Sequence, residues 1–158
     1  MILINTETGE EFQGIIEKME ISEIKALKNN PNFTFDWPKE KDNEVYKIHL
    51  FDQDEILGLI SLIDISREFR IHINLIESSN ENKGRNKKIE NIPGCLIAFT
   101  CKKAFLSGYD GFVSLLPKTQ LIEHYHIKYG FIQVGNQMAV FRQPAKLLIS
   151  KYLGDDEI

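Results

Sequence analysis

The sequence has few cysteines, no long apolar run and no excess of positive charge. Only Cys95 and Cys101 occur among the 158 residues. Both stand in an apolar stretch that predicts a helix, where a spacing of six residues places them on different faces, so we expect no disulfide between them. Nowhere do 18 apolar residues follow one another, and the first seven residues lack the basic start of a signal peptide. These absences predict a cytoplasmic, soluble protein with no membrane partner.

The charge balance is mildly acidic. The chain has 19 Lys and Arg against 23 Asp and Glu, which gives a formal net charge of −4. Nucleic-acid-binding surfaces are normally basic because they displace counterions from phosphates, so we expect no nucleic-acid partner. A chain of this length buries roughly 70% of the surface that its unfolded form exposes. Because no repeat, linker or low-complexity tract divides it, we predict one domain over residues 1–158.

Several motifs of known chemistry are missing. The four histidines are His49, His72, His124 and His126. The only close pair is spaced by two residues on a predicted helix, which places the two rings on opposite faces and argues against a metal site. The sequence contains no Gly-x-Ser-x-Gly elbow, no Gly-x-Gly-x-x-Gly and no P-loop. A serine hydrolase, a dinucleotide enzyme and an NTPase therefore have no support.

Hydrophobic periodicity predicts both strands and helices along the chain. The predicted strands are residues 12–19, 45–51, 56–63, 69–76, 111–116, 131–134 and 137–142. The predicted helices are a short one capped by Ser22, one over 94–106, one capped by Thr119 that ends at Tyr129, and one over 145–153. Strands 45–51, 56–63 and 69–76 predict an antiparallel meander, and the later strand–helix–strand order predicts a right-handed parallel crossover. Gly58, inside a strand that is apolar on both faces, predicts a close backbone approach.

A loop over residues 78–91, rich in Asn, Lys and Glu, precedes the longest predicted helix. The loop carries Lys83, Gly84, Arg85, Lys87 and Lys88, and the helix begins near Pro93 and Gly94. Free N–H groups and the positive end of a helix dipole attract phosphate groups, so this junction predicts an anion site. The alternative is a solvated, mobile loop whose basic side chains meet only water and the neighbouring Glu81 and Glu90.

Cys95 has two interpretations. At a helix N-terminus the dipole can lower the pKa of a thiol and favour a reactive thiolate. The alternative is a small buried residue that serves packing.

Three segments together resemble the GCN5-related N-acetyltransferase (GNAT) family over about residues 12–142. They are Gly94-Cys95-Leu96-Ile97-Ala98 at a helix start, Gly111-Phe112-Val113-Ser114-Leu115 in a strand, and Tyr125-His126-Ile127-Lys128-Tyr129-Gly130-Phe131 at a helix end. The last is similar to the family's Tyr-x-x-x-Gly-Phe. The resemblance implies an α/β/α arrangement of the α+β class, with a mixed, mostly antiparallel, splayed sheet of about six or seven strands flanked by helices. It also implies an enzyme that binds acetyl-coenzyme A (acetyl-CoA) as cosubstrate between two central strands and transfers the acetyl group to an amine.

The resemblance implies particular cofactor contacts. Backbone N–H groups of Ile92, Gly94, Cys95 and Leu96 would hold the pyrophosphate. Leu75, Ile76 and Glu77 would pair with the pantetheine arm like an added strand. Lys118 and Thr119 would contact the same arm, and no metal is implied.

The reaction needs an acid and a base. Tyr125 is the candidate acid, because a phenol with a pKa of about 10 can share a proton with a departing thiolate. Glu77 is the candidate base, directly or through water, and His72 is a second candidate.

The sequence also departs from the family pattern. Gly94 matches the last glycine of the family's Arg/Gln-x-x-Gly-x-Gly/Ala, but Ile89 and Ile92 replace the Arg/Gln and the first glycine. A β-branched side chain restricts the approach of backbone to a phosphate. Tyr125 lies five residues before Gly130 and His126 lies four before it, so either could hold the acid position.

Three classes of function stay open: an acetyltransferase, a degenerate family member that binds acyl-CoA or a protein without transfer, and an interaction module that docks through a sheet edge. The acceptor is an amine of unknown identity. We expect the loop 29–42 and the C-terminal strands to form the part of the site that binds the acceptor. Trp37 or Phe35 could cover the acceptor pocket or tuck back onto the core. A homodimer is a further expectation.

Overall fold

The computed structural model describes residues 1–154, which form nine strands and four α-helices. The strands are β1 Ile2–Asn5, β2 Glu11–Lys18, β3 Glu44–Leu50, β4 Gly58–Ile65, β5 Arg70–Ser78, β6 Ile89–Glu90, β7 Val113–Leu115, β8 Ile132–Val134 and β9 Gln137–Val140. The helices are α1 Ile21–Lys25, α2 Ile92–Leu106, α3 Ile122–Tyr129 and α4 Arg142–Tyr152. The strands are mostly antiparallel and helices flank them, so the predicted α+β fold class is confirmed, with more strands than expected.

The chain divides into two compact units. The first unit contains Met1–Leu62 and Leu75–Leu96, and the second contains Ile63–Asn74 and the residues from Ile97 onward. Strands β4 and β5 and helix α2 contribute residues to both. The single domain over residues 1–158 stays a prediction.

The strands of the first unit follow the order β6-β1-β2-β3-β4 and are antiparallel at each step. The predicted hairpin of β3 and β4 is confirmed. Strands β1 and β6 were not predicted, because four and two residues are too few to show an alternating pattern. They pair with each other, Ile4 opposite Glu90, so part of the loop predicted over 78–91 is a strand.

A buried cluster packs against α1 in the first unit. It consists of Met19, Ile24, Leu27, Phe33, Trp37, Val45 and Leu59. Trp37 is 1% exposed and therefore tucks onto the core, whereas Phe35 is 38% exposed. The predicted Ser22 cap is wrong. Glu20, with extended backbone, is the N-cap, and its N–H donates to the Glu23 carboxylate at 3.4 Å, three residues later, as in a capping box.

In the second unit β5 and β7 run parallel, with His72 opposite Ser114, which confirms the predicted parallel pair. The right-handedness of the crossover stays a prediction. Strand β9 is antiparallel to β7, and β8 and β9 form the predicted hairpin. Phe69 is not a strand residue as predicted. Its φ of 53° is left-handed and its side chain is 65% exposed, so β5 begins one residue later.

Gly111 lies where the second unit leaves no room for a side chain. Its φ is +71°, and an added Cβ would lie 2.5 Å from Phe105 Cε2 and 3.0 Å from Ala145 Cβ. Only glycine fits this position, which lets the chain pass between α2 and α4 into β7.

The C-terminal helix, α4, begins at Arg142, three residues before its predicted start, and Pro144 lies in its first turn, where a missing N–H costs little. Among the described residues no helix is both long and apolar enough to cross a membrane. The cytoplasmic location stays a prediction.

Candidate functional site

Some of the groups at the start of α2 already have partners within the protein. Asn91, with a left-handed φ of 78°, precedes the helix, and its carbonyl accepts the Cys95 N–H at 3.0 Å. The Ile89 N–H donates to Asn82 Oδ1 at 2.9 Å. The Ile92 side chain is buried and turned toward Gly58. Of the four amides expected to hold a pyrophosphate, that of Cys95 is therefore already used by the first hydrogen bond of the helix, and that of Leu96, the fifth residue of α2, follows in the same ladder of bonds.

Both cysteine side chains are completely buried and neither forms a disulfide, as expected. Burial raises the pKa of the Cys95 thiol to about 12, and it also raises the pKa of Cys101. The thiol of Cys95 is protonated near neutral pH, so the interpretation as a reactive thiolate is wrong and the packing interpretation is supported.

The segment over residues 78–91 is attached to the rest of the first unit. Lys88 pairs with Glu81 at 3.3 Å, and Thr6 Oγ1 donates to the Lys87 carbonyl at 2.7 Å. Lys83 Nζ donates to Glu77 Oε2, to Asn80 Oδ1 and to Thr34 Oγ1. The alternative of a solvated loop, whose basic side chains meet only water, Glu81 and Glu90, is therefore wrong at Lys83, because this side chain binds Glu77, Asn80 and Thr34.

The carboxylate of Glu77, a predicted site residue, accepts four hydrogen bonds. Its Oε2 accepts the Thr34 N–H at 2.7 Å and the Lys83 ammonium at 2.5 Å. Its Oε1 accepts the Trp37 Nε1–H at 2.8 Å and the Phe35 N–H at 3.2 Å. Each carboxylate oxygen thus has two donors, and the side chain is 1% exposed.

The surroundings of Glu77 favour its charged form. Burial by itself raises the pKa of the carboxyl, but the hydrogen bonds from Lys83, Thr34, Trp37 and Phe35 outweigh it, so the pKa lies below its usual value. A carboxylate with a lowered pKa and four donors is a weak proton acceptor. The assignment of Glu77 as general base stays a prediction.

A pocket of about 290 Å³ lies in the first unit. It is lined by Leu27, Lys28, Asn29, Asn30, Phe33, Thr34, Phe35, Asp36 and Pro38. Most of these residues fall in the loop 29–42, from which the sequence predicts the acceptor side.

In the second unit Tyr125 belongs to an aromatic cluster at the end of α3. Its ring meets Phe131 edge to face at 5.7 Å between centroids and lies 6.0 Å from the ring of Tyr129. Burial raises the pKa of the Tyr125 phenol, which keeps its proton in place near neutral pH.

His126 has a different environment. Its Nδ1 lies 2.8 Å from the Phe131 carbonyl, which can only accept, so Nδ1 carries the proton. Gly130, with φ of 76°, caps the C-terminus of α3, and the Phe131 N–H donates to the Tyr125 carbonyl at 3.3 Å. His126 is therefore part of the helix end, while Tyr125 packs its ring against neighbouring aromatic side chains.

Lys118 and Thr119 follow β7. The Lys118 carbonyl accepts the Leu121 N–H at 2.9 Å, and Thr119–Leu121 form a 3-10 turn before α3 begins at Ile122. The predicted Thr119 cap of an α-helix is therefore wrong, because that residue begins the tighter turn instead.

A network of polar side chains joins β5, β7 and β9. The sequence did not predict this network and indicated only one of its members, His72. Arg70 Nη1 donates to Ser114 Oγ at 2.6 Å and to Gln137 Oε1 at 3.1 Å. His72 Nδ1 lies 2.9 Å from Ser114 Oγ and 3.3 Å from Arg70 Nη1, which can only donate. Nδ1 is therefore the acceptor and Nε2 carries the ring proton.

The network also changes the acidity of His72. Burial, and then the charge of Arg70, lower the pKa of His72, so the ring is neutral at pH 7. The alternation along β5 places Arg70 and His72 on one face, but only the register with β7 reveals Ser114 as their partner.

Comparison with known proteins gives a likeness of fold. No family model matches the sequence, and no curated protein matches it. Mutant forms of the spermidine/spermine N-acetyltransferase SpeG from Vibrio cholerae are 15% identical, with a TM-score of 0.60 over 91% of this chain and 98% of that chain. An IAA acetyltransferase from Bacillus cereus is 15% identical, with a TM-score of 0.56 over 78% of this chain and 79% of that chain.

A third structure, AtaTR bound with AcCoA, is 11% identical, with a TM-score of 0.57 over 86% of this chain and 98% of that chain. The chain therefore has the fold of the GNAT acetyltransferases, and the resemblance seen in the sequence is confirmed at the level of the fold.

Proposed function

We propose that the chain is an acyl-CoA-dependent N-acetyltransferase that transfers an acetyl group to an amine. The pairing of β5 carries the proposal. Strand β7 pairs with Ile71–Ile73, yet β5 continues to Ser78, five residues further. Strand backbone that continues past its partner can pair with an extended ligand. The acetyltransferases of the same fold support this function.

We propose particular residues as cosubstrate contacts. The backbone of Leu75, Ile76 and Glu77 would pair with the pantetheine arm. The amides of Ile92, Gly94, Cys95 and Leu96 would lie at the pyrophosphate, although the bond from Cys95 to Asn91 reduces what that amide can offer. Lys118 and Thr119 would contact the arm. Acetyl-CoA would supply the acetyl group as an activated thioester.

The proposed chemistry needs three proton transfers. A base, His72 or as the alternative Glu77, would take a proton from the acceptor ammonium, so that the free nitrogen can attack the acetyl carbonyl carbon. As the carbon–sulfur bond breaks, Tyr125 would give its phenolic proton to the departing sulfur, and the tyrosinate would then regain a proton from the nitrogen of the new amide. The raised pKa of Tyr125 suits this function, because the phenol stays protonated until it is needed.

The pocket beside residues 33–36 is the proposed acceptor side. Asp36, which pairs with Lys39 at 3.7 Å, contributes a carboxylate to its lining, Lys28 contributes an ammonium group, and Asn29 and Asn30 contribute amide groups. The lining is therefore polar and carries charges of both signs. We propose that the amine acceptor binds in this pocket, and its identity stays open.

The second candidate function is binding of acyl-CoA or of a protein partner without transfer. It is favoured by Ile89 and Ile92, which stand in place of the family's phosphate-binding residues, and by the internal hydrogen bonds of the Ile89 and Cys95 amides. Backbone donors that are already used contribute less to an anion site.

Thermal unfolding and a transfer assay together test these functions. A ligand that binds only the native state stabilises it by about 2.7 kcal/mol at a hundredfold excess over its Kd. Acetyl-CoA and free CoA should therefore raise the Tm, and no shift at millimolar concentration would contradict both acetyl transfer and acyl-CoA binding. Release of free thiol with a panel of amines then identifies an enzyme, whereas a Tm shift without release identifies a binding protein. Light scattering after size-exclusion chromatography tests the expected homodimer.

A further inference from the structure

Glu77 connects β5 to a segment about forty residues earlier in the chain. Its four donors are the N–H groups of Thr34 and Phe35, the indole of Trp37 and the ammonium of Lys83. We propose that Glu77 is a positioning residue, which holds residues 34–37 as a wall of the acceptor pocket and thereby determines how tightly the acceptor binds.

The strength of this attachment follows from burial. Hydrogen bonds to a charged acceptor are stronger than neutral ones, and they are stronger still away from water. Removing the carboxylate would leave two consecutive backbone N–H groups and an indole N–H without their acceptor. The segment 34–37 would then move to satisfy these donors elsewhere.

Neighbouring contacts attach the same segment from its other end. Asn80 Nδ2 donates to the Pro31 carbonyl at 2.9 Å, and the Asn80 N–H donates to the Asn32 carbonyl at 2.8 Å. Lys83 bonds both Glu77 and Thr34 Oγ1, the latter at 3.2 Å. Residues 31–37 are thus held by β5 and the loop that follows it, with Glu77 at the centre.

The attached residues are the ones that line the pocket. Thr34 and Phe35, whose amides bind Glu77, belong to its lining, together with Asp36 beside them. A change in the position of these residues changes the shape of the pocket and the place of the Asp36 carboxylate. The consequence for acceptor binding rests on the proposed function, while the attachment itself does not.

The structural part is tested without any activity. Trp37 is the only tryptophan, so its fluorescence reports directly on this contact. In Glu77→Gln, an amide N–H₂ replaces one of the two oxygens, and in either orientation it faces two of the four donors. We expect hydrogen exchange in residues 33–37 to become at least about tenfold faster and Trp37 to become more accessible to acrylamide. Unchanged exchange and quenching in the folded variant would overturn the proposal.

The functional part separates positioning from base catalysis. A positioning role predicts that Glu77→Gln raises the KM for the acceptor about tenfold, leaves the KM for acetyl-CoA and kcat within about twofold, and does not shift the pH profile. A kcat loss of about a hundredfold or more, with loss of the acidic limb of the profile, would identify Glu77 as the base and overturn the proposal. If the native protein transfers no acetyl group, the proposed function fails, and the exchange measurement still decides the attachment.

Two lysine variants complete the test. Lys83→Met removes one of the four donors at a partly exposed side chain, so it should fold even where Glu77→Gln does not, and it should speed exchange in residues 33–37 to a smaller extent. Lys18→Met is the matched control. It breaks the exposed pair with Glu44 at 3.7 Å, on β2 and β3, and should leave the exchange unchanged. Equal exchange in both lysine variants would contradict the proposal.

Discussion

The Cβ atom that Gly58 lacks would lie 2.6 Å from Cγ2 of Ile92. It would also lie 3.1 Å from Ile48 Cγ2 and 3.3 Å from Leu96 Cδ1. The first turn of α2 therefore rests directly on the first residue of β4, and the absence of a side chain at this position sets how closely the helix approaches the strand.

Gly58→Ala should lower the free energy of unfolding by about 1–3 kcal/mol, because overpacking a filled core forces neighbouring side chains to move. Urea unfolding followed by Trp37 fluorescence measures the change. The double variant with Ile92→Ala removes the clashing methyl group, so its loss should be smaller than the sum of the two single losses. Strict additivity would show that the two residues do not compete for the same space.

The part of the fold that the sequence predicts is the part with long, regular patterns. Alternation over 45–51 gives β3, the apolar run after Pro93 gives α2, and the strand–helix–strand order gives the parallel pair of β5 and β7. Strands β1 and β6 become stable only by pairing with each other and with β2, which no local pattern reveals.

The candidate site is predicted less completely, because its contacts join distant residues. The sequence marks Glu77 as chemically interesting at the end of a strand, but it does not show that residues 34–37 supply three of its donors. Similarly, His72 is visible as a titratable group, whereas its contact with Ser114 depends on the register between two strands separated by a helix.

The thiol of Cys95 should be unreactive in the folded protein. Its pKa is raised to about 12 by burial, so at pH 8 the thiolate is a very small fraction of the native state. Ellman's reagent should label neither cysteine within minutes in buffer and both after unfolding in guanidinium chloride, which serves as the control. Rapid labelling of one thiol per chain, mapped to Cys95, would contradict the buried position.

The pKa of His72 should respond to Arg70. Burial and then the positive charge of Arg70 lower it, so Arg70→Met should move it back toward the ordinary value of about 6.5 without reaching it. An NMR titration of the histidine rings measures the shift, with His49 in the first unit as the control. An unchanged pKa of His72 would show that burial alone sets it.

The same shift has a consequence for stability. Because the folded state holds the His72 proton less tightly than the unfolded state, stability falls as the pH drops below about 6.5, and it stops falling below the lowered pKa. His72→Gln removes this loss, so the stability of the variant should depend less on pH between about 6.5 and the lowered pKa. Urea unfolding over a pH series measures both proteins.

The hydroxyl of Tyr125 should be needed for transfer, and Tyr129 provides the matched control in the same aromatic cluster. Tyr125→Phe keeps the ring against Phe131 but removes the acid, so kcat should fall by about a hundredfold or more, while the Tm changes little. Tyr129→Phe removes a hydroxyl from a ring 6.0 Å away and should retain most of the activity. Thiol release and thermal unfolding, measured on both variants, separate the loss of a proton donor from the loss of packing.

The comparison with His126 completes this test. His126 Nδ1 donates to the Phe131 carbonyl, so His126→Gln should lower stability through the end of α3 and leave kcat nearly unchanged if Tyr125 is the acid. A large loss of kcat in His126→Gln, with normal rates in Tyr125→Phe, would instead assign the acid position to His126.

Because burial raises the pKa of Tyr125, the activity that depends on its proton should also persist to a higher pH than an exposed phenol would allow. A pH–rate profile of the native protein measures this limit.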